Sequence, residues 1–181
     1  MPSSARRCSH SCIGPSTRLP ESQSTLERAR RWLPAVAWAG FISFLSTGWF
    51  TGERTAAVLL PLLAAIFPHA RPEELRAWHM LIRKLAHFGE YLVLSVLLYR
   101  ALRNDRQWRL RTALTALAIA AAYSALDEFH QTFVMGRTGA ASDSFVDICG
   151  AATGQLLIAA WSRVLHSGAA ASRASRLESR P

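Results

Sequence analysis

From Trp32 to Phe50, nineteen consecutive residues carry no charge (WLPAVAWAGFISFLSTGWF). An α-helix of about 20 apolar residues crosses about 30 Å of hydrocarbon. Trp32 and Trp49 stand at the two ends of the run, where an aromatic belt at the membrane interface would hold them. Pro34 falls where the first turn of such a helix would be, and a first turn tolerates proline. Three more runs approach this length: Leu85 to Leu102, Thr112 to Val134 and Asp143 to Leu165. The expectation is an all-α polytopic membrane protein with about four transmembrane helices.

The remaining segments are shorter or more polar. Ala56 to Phe67 is apolar but only about 12 residues long, with Pro61 inside it. That is too short to span and suits an interfacial or re-entrant piece between the first two spans. Pro72, Glu73 and Glu74 form a helix-start signal, with acids at the positive dipole end. The mixed stretch Glu73 to Lys84 is expected on the membrane surface, with Arg83 and Lys84 snorkelling to the headgroups. Met1 to Arg31 is rich in Ser, Arg and Pro and is expected to be a disordered basic tail without a signal-peptide h-region. Ser167 to Pro181 is a second tail with no evident reason to fold. One domain, residues 32–166, lies between them.

The formal charge of +9 fits either nucleic acid or a membrane protein with cationic loops. The arginines sit between apolar runs and no nucleic-acid-binding motif occurs, so the partner is the lipid bilayer and not nucleic acid. Cys8, Cys12 and Cys149 have no disulfide-framework spacing. Cys149 reads as a small packing residue. Four spans would put both termini on one side. With Arg163 and the Arg100 to Arg111 loop, that side holds fifteen of the Lys and Arg residues and the other side six. The positive-inside rule then puts both termini in the cytoplasm.

In that topology the costly polar groups converge on the outer half of the bundle. His87, Glu90 and Tyr91 open the second span on one stripe. Asp127, His130 and Gln131 share a face with Tyr123 at the end of the third, with Glu128 about 100° away from Asp127. Arg137 lies in the turn from Met135 to Ser142, which carries Gly136 and Gly139. Asp143 and Asp147 begin the fourth span, on the face of Gly150 and Gly154. Ionisable groups at such depths are candidates for function. Asp143 also suits a helix start. The Gly150-x-x-x-Gly154 pair lets another helix approach closely, and the second or third span is the expected neighbour.

Taken in order, Lys84-x-x-His87-Phe88-x-x-Tyr91-x-x-Leu94, Asp127-Glu128-x-x-Gln131-x-Phe133, Gly136-Arg137, Asp143, and Gly150 with Gly154 resemble the VanZ-like family of small bacterial membrane proteins. The stretch Phe41 to Ser46, FISFLS, resembles the end of that family's first span. The resemblance runs from about Trp32 to Trp161. It implies the bacterial cytoplasmic membrane and a link to glycopeptide (teicoplanin-type) susceptibility, without an established activity. Met135 stands where the family often has Pro, and Asp147 where it often has Asn.

Three uses of the polar cluster follow. A pocket for a lipid-linked envelope precursor or a glycopeptide would be formed by Lys84, His87, Tyr91, Asp127, Glu128, Gln131, Arg137, Asp143 and Asp147. In it, Arg137 and Lys84 would face anionic groups. A metal-dependent hydrolase would take His87, Glu90, Asp127 and His130 as ligands, with Glu128 as base. Acid-base chemistry without metal would draw on His87, Glu90, Asp127, Glu128, Arg137 or Asp143. A structural scaffold, with Asp127 or Glu128 paired to Arg137, is the remaining reading. No nucleophile elbow, P-loop or dinucleotide fingerprint is present, and the residues name no cofactor.

Overall fold

The computed structural model describes residues 21–103, 108–133 and 141–178. Among the described residues five α-helices follow one another: α1 (Glu21–Leu45), α2 (Gly52–Ile66), α3 (Pro72–Leu102), α4 (Leu110–Gln131) and α5 (Ala141–Glu178). A 3-10 turn, Gly48–Phe50, lies between α1 and α2. Among the described residues there is no strand.

Helix α3 is the axis of the bundle. It packs most extensively on α5, then on α4 and α1, and carries α2 on its N-terminal half. Its start is the one its sequence prescribes. Pro72 occupies the first turn and the Arg71 backbone N–H donates to Glu74 Oε2 at 2.8 Å, which caps the helix. The stretch Glu73 to Lys84 and the run Leu85 to Leu102 are therefore one continuous helix of 31 residues. Nothing between them breaks it, since no proline follows Pro72 inside the helix.

Helix α4 buries a stripe that is small at one end and polar at the other: Ala113, Ala116, Ala120, Ser124, Asp127, Glu128 and Gln131. Alanine at the contact lets α5 and α3 approach, and Tyr91, Leu94, Leu98, Ala35 and Ile42 fill the core against it. Side-chain hydrogen bonds tie the helices at several levels. Trp38 Nε1 donates to the Glu90 carbonyl at 2.9 Å. The Tyr123 hydroxyl donates to the Ala39 carbonyl at 2.6 Å. Gln155 Nε2 donates to both the carbonyl and the hydroxyl of Ser95, at 2.9 and 2.6 Å.

Helices α3 and α5 meet at the two glycines. A Cβ on Gly150 would run into the Phe88 carbonyl, and one on Gly154 would stand 2.8 Å from the Leu92 carbonyl oxygen. The sequence offset is the same at both contacts, so the two helices run parallel in constant register.

Several expectations need correction. The N-terminal tail is helical from Glu21, because Leu26 to Arg31 are good helix formers that extend a helix already nucleated by the apolar run. Pro34 is thus inside α1 and not in its first turn, where it removes the bond that would end on the Arg30 carbonyl. The uncharged run does not stay helical to Phe50. It stops at Leu45, and the Ser46 side chain leaves the helix for a partner on α4. Likewise α5 continues to Glu178, since Ala-rich sequence propagates a formed helix cheaply. Among the described residues one stretch, Ser142–Leu165, is long and apolar enough to cross a membrane, against the four expected. The apolar part of α1 is short once charged residues up to Arg31 are counted, and that of α4 ends in Asp127 and Glu128.

Candidate functional site

Two buried polar networks occupy the end of the bundle where α3 and α5 have their N-terminal halves and α4 its C-terminus. In the first, Asp127 Oδ2 accepts from Ser46 Oγ at 2.6 Å and from Gln131 Nε2 at 2.9 Å. All three residues are buried. Gln131 sits one turn after Asp127 on the same stripe, and Ser46 reaches across from the end of α1. A carboxylate with two donors is far cheaper to bury than a bare one.

In the second network, Asp147 of α5 is 1% exposed. Its Oδ2 accepts from Ser124 Oγ at 2.7 Å. Its Oδ1 faces His87 Nδ1 at 3.5 Å, and neither atom has a hydrogen-bond partner of its own. Gly150, one turn beyond Asp147, brings α5 against the α3 backbone beside Phe88. The close approach of α5 is what puts Asp147 behind His87. The fully buried Tyr91 hydroxyl also lacks a hydrogen-bond partner.

A cleft of about 210 Å³ opens beside these networks, between α1, the 3-10 turn, α2 and α3. Ser46, Thr55, Arg83, His87 and Glu90 supply its polar lining, and Leu45, Phe50, Leu59 and Ile82 are among its apolar walls. Arg83 Nη1 donates to Thr55 Oγ1 at 3.1 Å and to the Phe50 carbonyl at 3.4 Å. His79 Nε2 lies 3.2 Å from the same threonine hydroxyl. Burial, and then the Arg83 charge, push the His79 imidazole below its ordinary range.

The VanZ/LLP1 family model matches residues 24–162, most of the chain. The chain belongs to the VanZ/LLP1 family. No curated protein and no solved structure matches it.

The matched region contains every residue named above, and the structure sorts them into three groups. His87 and Glu90 line the cleft. Asp127, Glu128, Gln131, Asp147 and Tyr91 are buried and do not line it. Lys84 and Asp143 form a separate, half-exposed ion pair at 3.8 Å on the rim between α3 and α5. Such a pair contributes little to stability. Arg137 lies outside the described residues, with Gly136 and Gly139.

His130 departs from the expected face. It is exposed, while Asp127 and Gln131 are buried. The buried stripe of α4 is centred between Ala120 and Ser124, which leaves His130 roughly 90° off its middle. The proposed ligand set His87, Glu90, Asp127 and His130 is therefore not assembled. Among the described residues no three of His, Cys, Asp and Glu come together to hold a metal.

Arg83 turns inward to the cleft instead of snorkelling outward. It was missed as a site residue, as were Ser46, Thr55 and Ser124. Ser124 carried one readable signal, since it precedes Asp127 by three residues and so shares its helix face. Ser46 carried none beyond its place in FISFLS, because its partner is 81 positions away.

Proposed function

We propose that this VanZ/LLP1 protein is a multi-pass protein of the bacterial cytoplasmic membrane, spanning it with α1, the Leu85 to Leu102 part of α3, α4 and α5. Both termini are cytoplasmic, and the cleft opens on the outer face. There it binds or modifies an envelope component, and so alters susceptibility to teicoplanin-type glycopeptides. The observation that carries this reading is the inverted distribution of polarity. Asp127, Glu128, Gln131, Asp147 and Ser124 are inside, whereas Phe41, Phe44, Leu81, Leu85, Leu114, Leu126, Phe129, Leu156 and Trp161 are exposed. Water would punish both halves of that arrangement, and hydrocarbon rewards the second. The helix Ser142–Leu165 and the family membership support it.

At the cleft, His87 is the group with chemistry to offer. With its Nδ1 edge turned to Asp147, the ring is held in one orientation, and a carboxylate behind an imidazole favours the tautomer protonated on Nδ1. The opposite nitrogen is then the one available to accept a proton or hydrogen bond from a ligand. Arg83 supplies a cation for an anionic ligand group, and Glu90 an acceptor for hydroxyls or amines. A scaffold reading draws support from the completeness of the Asp127 network. Reporter fusions at Asp105 and Arg173 are expected to read cytoplasmic, and one at Gly139 external. The variants His87→Ala and Asp147→Asn are expected to insert normally and to lose the susceptibility phenotype. Normal insertion with an unchanged phenotype would leave the scaffold reading in possession.

A further inference from the structure

The contact between α3 and α5 changes character along its length. At Gly150 and Gly154 α5 lies against the α3 backbone. Carried on in the same register, the next turns oppose Val96 and Tyr99 of α3 to Leu157, Ile158 and Trp161 of α5. Large branched and aromatic side chains now stand where glycines stood, so they hold the helices apart. The result is a groove of about 490 Å³. Its walls are apolar, and Leu157 and Trp161 are more than half exposed along it.

Two cations close the groove at its mouth. Arg100 stands in the last turn of α3 and Arg103 is the extended residue that caps it, and both line the groove. Both are exposed, and among the described residues neither guanidinium has a carboxylate within ion-pair distance. This end of the bundle is opposite to the His87 cleft, at the cytoplasmic side in the topology proposed above. An apolar slot of this size, ending in two exposed guanidinium groups at headgroup level, is complementary to one kind of molecule. Its tail must fill the slot and its head must carry an oxyanion that accepts forked N–H donors. Trp161 sits where an interfacial indole is favoured.

We propose that the groove between the C-terminal halves of α3 and α5 is a binding site for an anionic glycerophospholipid of the inner leaflet. The phosphate is held by Arg100 and Arg103, and an acyl chain lies along Leu157, Ile158 and Trp161. The proposal rests on the membrane reading of the preceding subsection. Carbonate extraction of membranes tests that reading separately, because release of the protein would sink it whatever the lipid does.

The site itself is tested on the full chain in a neutral detergent. Tm is measured with dioleoylphosphatidylglycerol, with dioleoylphosphatidylcholine and with inorganic phosphate at equal concentration. Phosphatidylglycerol is expected to raise Tm by about 5 °C, and the other two to leave it in place. The double variant Arg100→Gln/Arg103→Gln should keep its basal Tm and lose the shift. Should that variant fold poorly, Leu157→Trp fills the groove with both arginines intact and should abolish the shift as well. An equal shift with phosphatidylcholine, a shift with phosphate alone, or a shift that survives in a folded variant overturns the proposal.

Discussion

The approach of α5 to α3 at Gly150 is the contact on which the buried His87–Asp147 pair depends, and adding a single methyl group tests it. Alanine at 150 would put its Cβ into the Phe88 carbonyl, a backbone atom with no rotamer to escape into. At Gly154 the same addition meets the Leu92 carbonyl oxygen at 2.8 Å and Val96 Cγ2 at 3.3 Å. Ordinary contact needs 3.4 Å or more, so α5 must retreat by at least several tenths of an ångström at 154 and further at 150. Overpacking of a tight contact costs about 1–3 kcal/mol. Against this, Gly→Ala in a helix interior gains about 1 kcal/mol of propensity. Gly40 and Gly89 are helical glycines whose Cβ would meet nothing within 4 Å, so they isolate the second effect. The expected order of Tm for the detergent-solubilised protein is Gly40→Ala and Gly89→Ala at or above wild type, Gly154→Ala below it and Gly150→Ala lowest. A Gly150→Ala protein as stable as Gly40→Ala would refute the close approach, and with it the placement of Asp147 behind His87.

Three further outcomes are expected. Ser124→Ala removes a donor to a fully buried carboxylate and should cost about 1–3 kcal/mol in thermal unfolding. A change within error would mean that Asp147 does not rely on it. Ser46→Ala and Asp127→Asn should be non-additive, with a coupling energy of about 0.5–3 kcal/mol in a double-mutant cycle, because they share one hydrogen bond between α1 and α4. Additive losses would disconnect the two helices. His79 has a folded-state pKa below its ordinary value of 6.5, so the unfolded chain binds its proton more readily. That contribution to stability is complete above pH 6.5 and declines as pH falls through 6.5 toward the lower folded value. Unfolding measured at pH 8 and pH 5 should show a smaller acid loss for His79→Gln than for wild type, and parallel losses would contradict the burial of His79.

Much of this protein is set by local sequence. The order of its helices follows from apolar runs bounded by Pro72, by the Arg100 to Arg111 segment and by the turn after Gln131. Those runs exist because a buried helix needs an apolar face whatever its partner is. The family motif could be read as well, since its residues recur at short, fixed spacings. Helix ends were less legible. Whether Glu21 to Arg31 and Ser167 to Glu178 are helical depends on propagation from a nucleated neighbour, which composition alone does not reveal.

The roles within the site belong to the tertiary structure alone. By spacing, Asp147 fits the ligand pocket and His130 the alternative metal-ligand set. Asp147 is sealed behind His87 because Gly150 draws α5 onto α3, while His130 faces outward because the α4 stripe is centred between Ala120 and Ser124. Ser46 became the partner of Asp127 across 81 residues, and Arg83 turned into the cleft toward Thr55. A helical period tells which side chains share a face. Which face is covered, and by what, is decided only when the helices meet, because burial is a property of the pair and not of either sequence segment.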